Sequence, residues 1–142
     1  MGKRFTFAPR AGVIKQLRAE VRKLAVAFGA EGRVGDNLAL VVDELVNNAI
    51  EHGAEYRRRG SDLAVQIEAA GEQLRIEFFD PEMPADTVAD LAQMLVAAAN
   101  GMPSLESERG RGLFLLTVYL QDLRAEPATA GGLRLIGHID RK

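Results

Sequence analysis

Apolar residues recur at helical spacing along two stretches in the first third of the chain. Val13, Leu17, Val21, Leu24 and Phe28 predict an amphipathic helix over about 12–28, with Gly29 as its stop. Leu38, Val41, Val42, Leu45, Val46 and Ala49 predict a second helix over about 37–52. Asp36 stands where its N-cap belongs and Gly53 where it should end. Ahead of both, Arg4–Ala8 alternates as a short strand closed by Pro9. After them, Glu55–Ser61 is polar and reads as a loop, its basic run Arg57-Arg58-Arg59 as a solvated segment.

The pattern then changes period. Leu63–Ala69 and Leu74–Phe79 read as strands joined at Ala70-Gly71-Glu72, a hairpin. Asp80-Pro81-Glu82-Met83-Pro84 must leave the ladder, because proline cannot donate to it. A helix over about 87–99 follows and stops at Asn100-Gly101-Met102-Pro103-Ser104. Leu105–Gly112 reads as a mobile polar loop, Leu113–Leu120 as a helix opened by Gly112. Leu123–Glu126 and Leu133–Ile139 form a last hairpin through Ala130-Gly131-Gly132.

Strands in hairpin pairs and helices in groups predict an α+β fold. The expected architecture is a two-layer sandwich: a mixed, mainly antiparallel sheet covered on one face by helices. The 142 residues form a single domain, 1–142, on this reading.

Composition adds exclusions. With no cysteine, thiolate metal sites and cysteine nucleophiles are out. A net charge of -2 gives no positive field that would draw the chain to nucleic acid or an anionic membrane. No apolar run reaches the length of a membrane span, and no secretory leader is visible, so a cytoplasmic location is expected. His52 and His138 lack partners at ligand spacing, and His52 suits a helix-end packing role.

Three segments could carry chemistry. In Asp43-Glu44-Leu45-Val46-Asn47-Asn48-Ala49-Ile50-Glu51-His52-Gly53, Glu44 and Asn48 lie about 40° apart on one helix face, at the edge of the apolar stripe. An amide oxygen there can hold magnesium and a carboxylate can take a proton from a hydroxyl. The same pair also suits a plain polar helix edge. Arg109-Gly110-Arg111-Gly112-Leu113 places two glycines before an apolar helix, which allows close backbone approach and offers free N–H groups to phosphate. It also suits a loop before a core helix. Asp80 closes a strand, as a ligand-reading residue or simply as a strand end.

The first segment resembles the asparagine box of the GHKL ATPases, and its form Glu-x-x-x-Asn-Ala-x-x-His-Gly is most similar to that of the anti-sigma-factor serine/threonine kinases. The second resembles the second glycine box of that family. The resemblance spans nearly the whole chain and implies a Bergerat-type ATP-binding fold. It further implies that Asn48 holds Mg2+, that Glu44 is the catalytic base, and that Arg109, Gly110, Arg111, Gly112 and Leu113 cradle the phosphates. It implies that Asp80 accepts a hydrogen bond from adenine. The family pattern here is Asp-x-Gly-x-Gly or Asp-x-Gly-x-Pro, and Glu82 stands where its glycine belongs, adding bulk and negative charge to the expected ATP site. Implied partners are a sigma factor and a STAS-domain anti-sigma antagonist phosphorylated on serine or threonine, with room for a homodimer. The alternative is a partner-switching binding module with a weakened nucleotide site.

Overall fold

The computed structural model describes residues 2–100 and 108–142, with the side chains of 108–111 outside that description. The chain runs β1 (Gly2–Phe7), a short 3₁₀ turn (Ala11–Val13), α1 (Ile14–Ala27), α2 (Val34–Gly53), β2 (Leu63–Ala70) and β3 (Gln73–Asp80). It continues with α3 (Ala85–Ala99), α4 (Glu108–Tyr119), β4 (Gln121–Pro127) and β5 (Leu133–Asp140). The strands form one five-stranded sheet in the order β1-β2-β3-β5-β4. Among the described residues every neighbouring pair is antiparallel, where a mixed sheet was expected.

Alternation along the strands sorts the two faces. Leu63, Val65 and Ile67 of β2, Leu74, Ile76 and Phe78 of β3, and Leu133, Leu135 and Ile139 of β5 are buried in one core with the helices. The opposite face carries an ion-pair ladder: Arg75 to Glu68 and Glu77, and Arg134 to Glu77 and Glu126. One face is therefore dry and helix-covered and the other polar, the α+β sandwich expected from the element order.

Helix α2 is the centre of the helical layer. Leu38, Val41, Val42, Leu45, Val46 and Ala49 are all buried, and α1 adds Leu17, Val21 and Ala25 from its side. α2 begins at Val34, before the expected N-cap: Val34 and Gly35 are themselves buried, and Arg33 caps without a side-chain bond. Asp36 thus lies in the first helical turn and bonds Arg22 of α1 at 3.0 Å. α4 is helical from Glu108 onward, so Gly110 and Gly112 lie inside it and not ahead of it. The expected helix stop at Gly101–Ser104 and the first part of the loop expected at Leu105–Gly112 lie outside the described residues.

Candidate functional site

α2 lies across the sheet so that its polar edge faces α4. Glu44 and Asn48, one turn apart, are half-buried there. A Cβ placed on Gly112 would lie 2.8 Å from Glu44 Oε2, 3.6 Å from Asn48 Nδ2 and 3.8 Å from Asn48 Oδ1. Only glycine lets the first turns of α4 come this close to the pair. The expected Glu44, Asn48 and Gly112 therefore meet at one place. Gly110 lies in the same turns of α4. The phosphate contacts expected of Arg109 and Arg111 lie outside the described residues.

Beside this junction a cavity of about 120 Å³ opens. Asn48, Ala49 and His52 of α2 form one wall, and Phe78, Leu133 and Leu135 of the sheet form the floor. Met83, Thr87 and Leu91 close it from the α3 side, Leu113 from α4, and Tyr56 from the loop after α2. Its mostly apolar lining, with a few polar groups at the rim, has the chemistry of a small-molecule site. His52, expected to serve helix-end packing, lines this wall.

Asp80 ends β3 beyond Tyr56, and it is 0% exposed. Arg57 holds it with two hydrogen bonds, Nη1 to Oδ1 at 3.1 Å and Nη2 to Oδ2 at 2.8 Å. The Tyr56 hydroxyl donates to Oδ2 at 2.6 Å, and the Glu82 amide donates to Oδ1 at 3.2 Å. Arg57 is not a solvated residue of a basic run. Its side chain is 10% exposed and also bonds the Ala49 carbonyl. Burial alone would lower the guanidinium's pKa, but the hydrogen bond and charge of Asp80, with Tyr56 and Glu82, leave it raised. Gly53 makes the space: a Cβ there would lie 2.5 Å from Arg57 Nη2.

Glu82 does not put its charge into the cavity. Its carboxylate turns toward the loop and accepts from the amides of Arg59 at 2.7 Å, Ser61 at 2.9 Å and Arg58 at 3.0 Å. The Arg59 amide, with those of Arg58 and Ser61 and the nearby Arg57 charge, outweighs burial and holds Glu82 down to about 2. The residue in the expected glycine position thus fastens the loop that carries Tyr56 and Arg57. On the far side, Gly132 comes against the Asp80–Pro81 backbone, where a Cβ would lie 2.3 Å from the Asp80 carbonyl oxygen. The last hairpin, expected from the sequence only as a strand connection, therefore touches the site's edge.

Tyr56 and Arg57 are what sequence reasoning missed. A charge run has no periodicity to betray burial, and the one available signal was the coincidence of Gly53 with an arginine one helical turn later.

ATP fits this site unevenly. The apolar lining suits the faces of a planar base, and the Asn48 amide oxygen beside α4 suits a hard cation. Asp80 offers no open acceptor.

A search of curated proteins finds no match to this chain. Its backbone is similar to a chain in the crystal structure of the SiaB-SiaC complex from Pseudomonas aeruginosa, with a TM-score of 0.75 at 17% identity, covering 96% of this chain and 88% of that one. At that identity the likeness speaks to fold alone. The family model for the histidine kinase-like ATPase domain matches residues 7–136, from the end of β1 into β5. The match takes in α2, Asp80 and the Gly110–Gly112 segment, and the chain belongs to the histidine kinase-like ATPase domain family.

Proposed function

We propose that this chain is an anti-sigma-factor regulatory kinase that binds ATP with magnesium and phosphorylates a serine or threonine of a STAS-domain antagonist. On this reading it also holds a sigma factor. The observation that carries it is the convergence of Glu44, Asn48 and Gly112 at the rim of the cavity. Asn48 would hold magnesium through its amide oxygen, and bound magnesium supplies charge neutralisation on the phosphates.

Glu44 takes the proton of the attacking hydroxyl. The new bond forms from that oxygen to the γ-phosphorus as the bond to the bridging oxygen breaks, and ADP leaves. Arg109, Gly110, Arg111, Gly112 and Leu113 form the phosphate cradle on this reading, with Gly112 leaving room for the phosphates beside Asn48. The cavity's apolar floor takes the base, and Asp80 reads its amino group once Arg57 and Tyr56 release the carboxylate. The SiaB-SiaC complex contains two different proteins. That is in keeping with a protein partner here.

Transfer of labelled γ-phosphate to a purified STAS-domain partner tests the proposal. Glu44→Gln should lower transfer by roughly 10²–10⁴-fold, the usual range for a lost general base, while the melting-temperature rise with Mg-ATP persists. Full transfer by that variant removes Glu44 from the role of base.

One observation favours a second reading, a partner-switching module whose nucleotide site is weak: the Asp80 carboxylate is already satisfied by Arg57, Tyr56 and the Glu82 amide. Partner exchange then needs only two proteins competing for one surface. Binding of both partners with no transfer and no response to millimolar ATP would select it.

A further inference from the structure

A carboxylate has about four lone-pair positions, two on each oxygen. At Asp80 all four are filled from within the chain. Oδ1 accepts from Arg57 Nη1 and the Glu82 amide, and Oδ2 from Arg57 Nη2 and the Tyr56 hydroxyl. Nothing is left to receive the amino group of a base. We propose that Arg57 and Tyr56 form a latch over Asp80, an internal competitor for the base-reading position, and that nucleotide binds well only once segment 54–62 is displaced. This rests on the nucleotide reading given above and names how that site is regulated.

The latch has a defined frame. Arg57 and Tyr56 follow α2 directly, and both of their amides bond the Gly53 carbonyl. The absent side chain of Gly53 is the channel through which the guanidinium reaches Asp80. The other end of the segment hangs on Glu82 through three backbone amides, at Arg58, Arg59 and Ser61. Glu82 also lies 3.6 Å from Arg57 Nη1, so one residue holds both the loop and the arginine in it. Tyr56 belongs to both places, its ring lining the cavity and its hydroxyl on Asp80. A ligand filling the cavity toward Asp80 therefore meets the latch first. The state with the segment withdrawn is the binding-competent one, and apparent affinity falls with its population.

The whole chain is titrated calorimetrically with Mg-ATP and with Mg-GTP, as wild type, Arg57→Ala, Tyr56→Phe and Gly53→Ala. Gly53→Ala drives a methyl group into the guanidinium's channel and leaves Arg57 in the chain, so the idea stays testable if Arg57→Ala folds poorly. Removing the competitor should tighten Mg-ATP by at least roughly tenfold in Arg57→Ala or Gly53→Ala, and by less in Tyr56→Phe. The gain should exceed that for Mg-GTP, which lacks the amino group at that position. In the wild type, saturating Mg-ATP should speed amide exchange at Arg58, Arg59 and Ser61, because their Glu82 acceptor is left behind. Equal Mg-ATP affinity in all four proteins, with exchange in this segment unchanged or slowed, overturns the latch and leaves the nucleotide site standing. No binding by any of the four overturns both.

Discussion

Glycine and glutamate positions carry the sharpest expectations at the scale of single residues. Gly112→Ala puts a methyl group 2.8 Å from Glu44 Oε2 and against Asn48, so α4 or the pair must move. Magnesium-dependent nucleotide binding should weaken by about tenfold or more while the fold persists, since displacements of this order disturb positioning more than stability. Isothermal titration with and without magnesium reads this, and unchanged binding would separate Gly112 from the site. Gly132 has φ of +83° and lies against the Asp80 carbonyl. Gly132→Ala should therefore cost about 1–3 kcal/mol by chemical denaturation, since it adds both strain and a clash.

At Glu82 the sign of the pH effect is fixed by the direction of its shift. The folded value, about 2, lies below the ordinary 4.5. Its contribution is thus complete above 4.5 and is lost as pH falls toward 2. The wild-type melting temperature should drop more steeply across that window than that of Glu82→Gln. Parallel curves would mean that the three amide bonds add nothing to stability.

At the scale of elements, the layers rest on α2, with its apolar stripe between α1 and the sheet. Leu38 is 0% exposed in the middle of this contact, and Leu38→Ala should destabilise the chain by about 2–5 kcal/mol. Urea unfolding measures it, and a loss below half a kilocalorie would mean that the helical layer repacks freely. The elements themselves were legible because periodicity is a local signal: Leu17, Val21 and Leu24 give α1, and the alternation of Leu63, Val65 and Ile67 gives β2.

The limits of that legibility are tertiary. α2 starts at Val34 because Val34 and Gly35 are buried, which no local cap residue announces. The meeting of Glu44 and Asn48 with Gly112 was implied by the family resemblance of their two segments, while spacing alone placed only Glu44 and Asn48 on one helix face. The filling of Asp80 was not. Arg57 sits in a run of three arginines whose neighbours are exposed, and only its fit through Gly53 to the end of β3 sets it apart. Glu82 read as an intruding charge because sequence does not tell which way a side chain turns.

At the scale of the whole molecule, the proposed function brings nucleotide, magnesium and the reacting hydroxyl to one cavity between α2, α3, α4 and the sheet. Among the described residues, no helix is long and apolar enough to cross a membrane. Ligand that binds only the native fold raises its melting temperature with the logarithm of concentration. The direct measurement is the melting temperature against Mg-ATP for the wild type, Arg57→Ala and Asn48→Ala. The account predicts a rise in the wild type at millimolar ATP and a rise at lower concentration in Arg57→Ala. In Asn48→Ala, what rise remains should no longer depend on magnesium. Flat curves for both the wild type and Arg57→Ala, up to millimolar Mg-ATP, would contradict it.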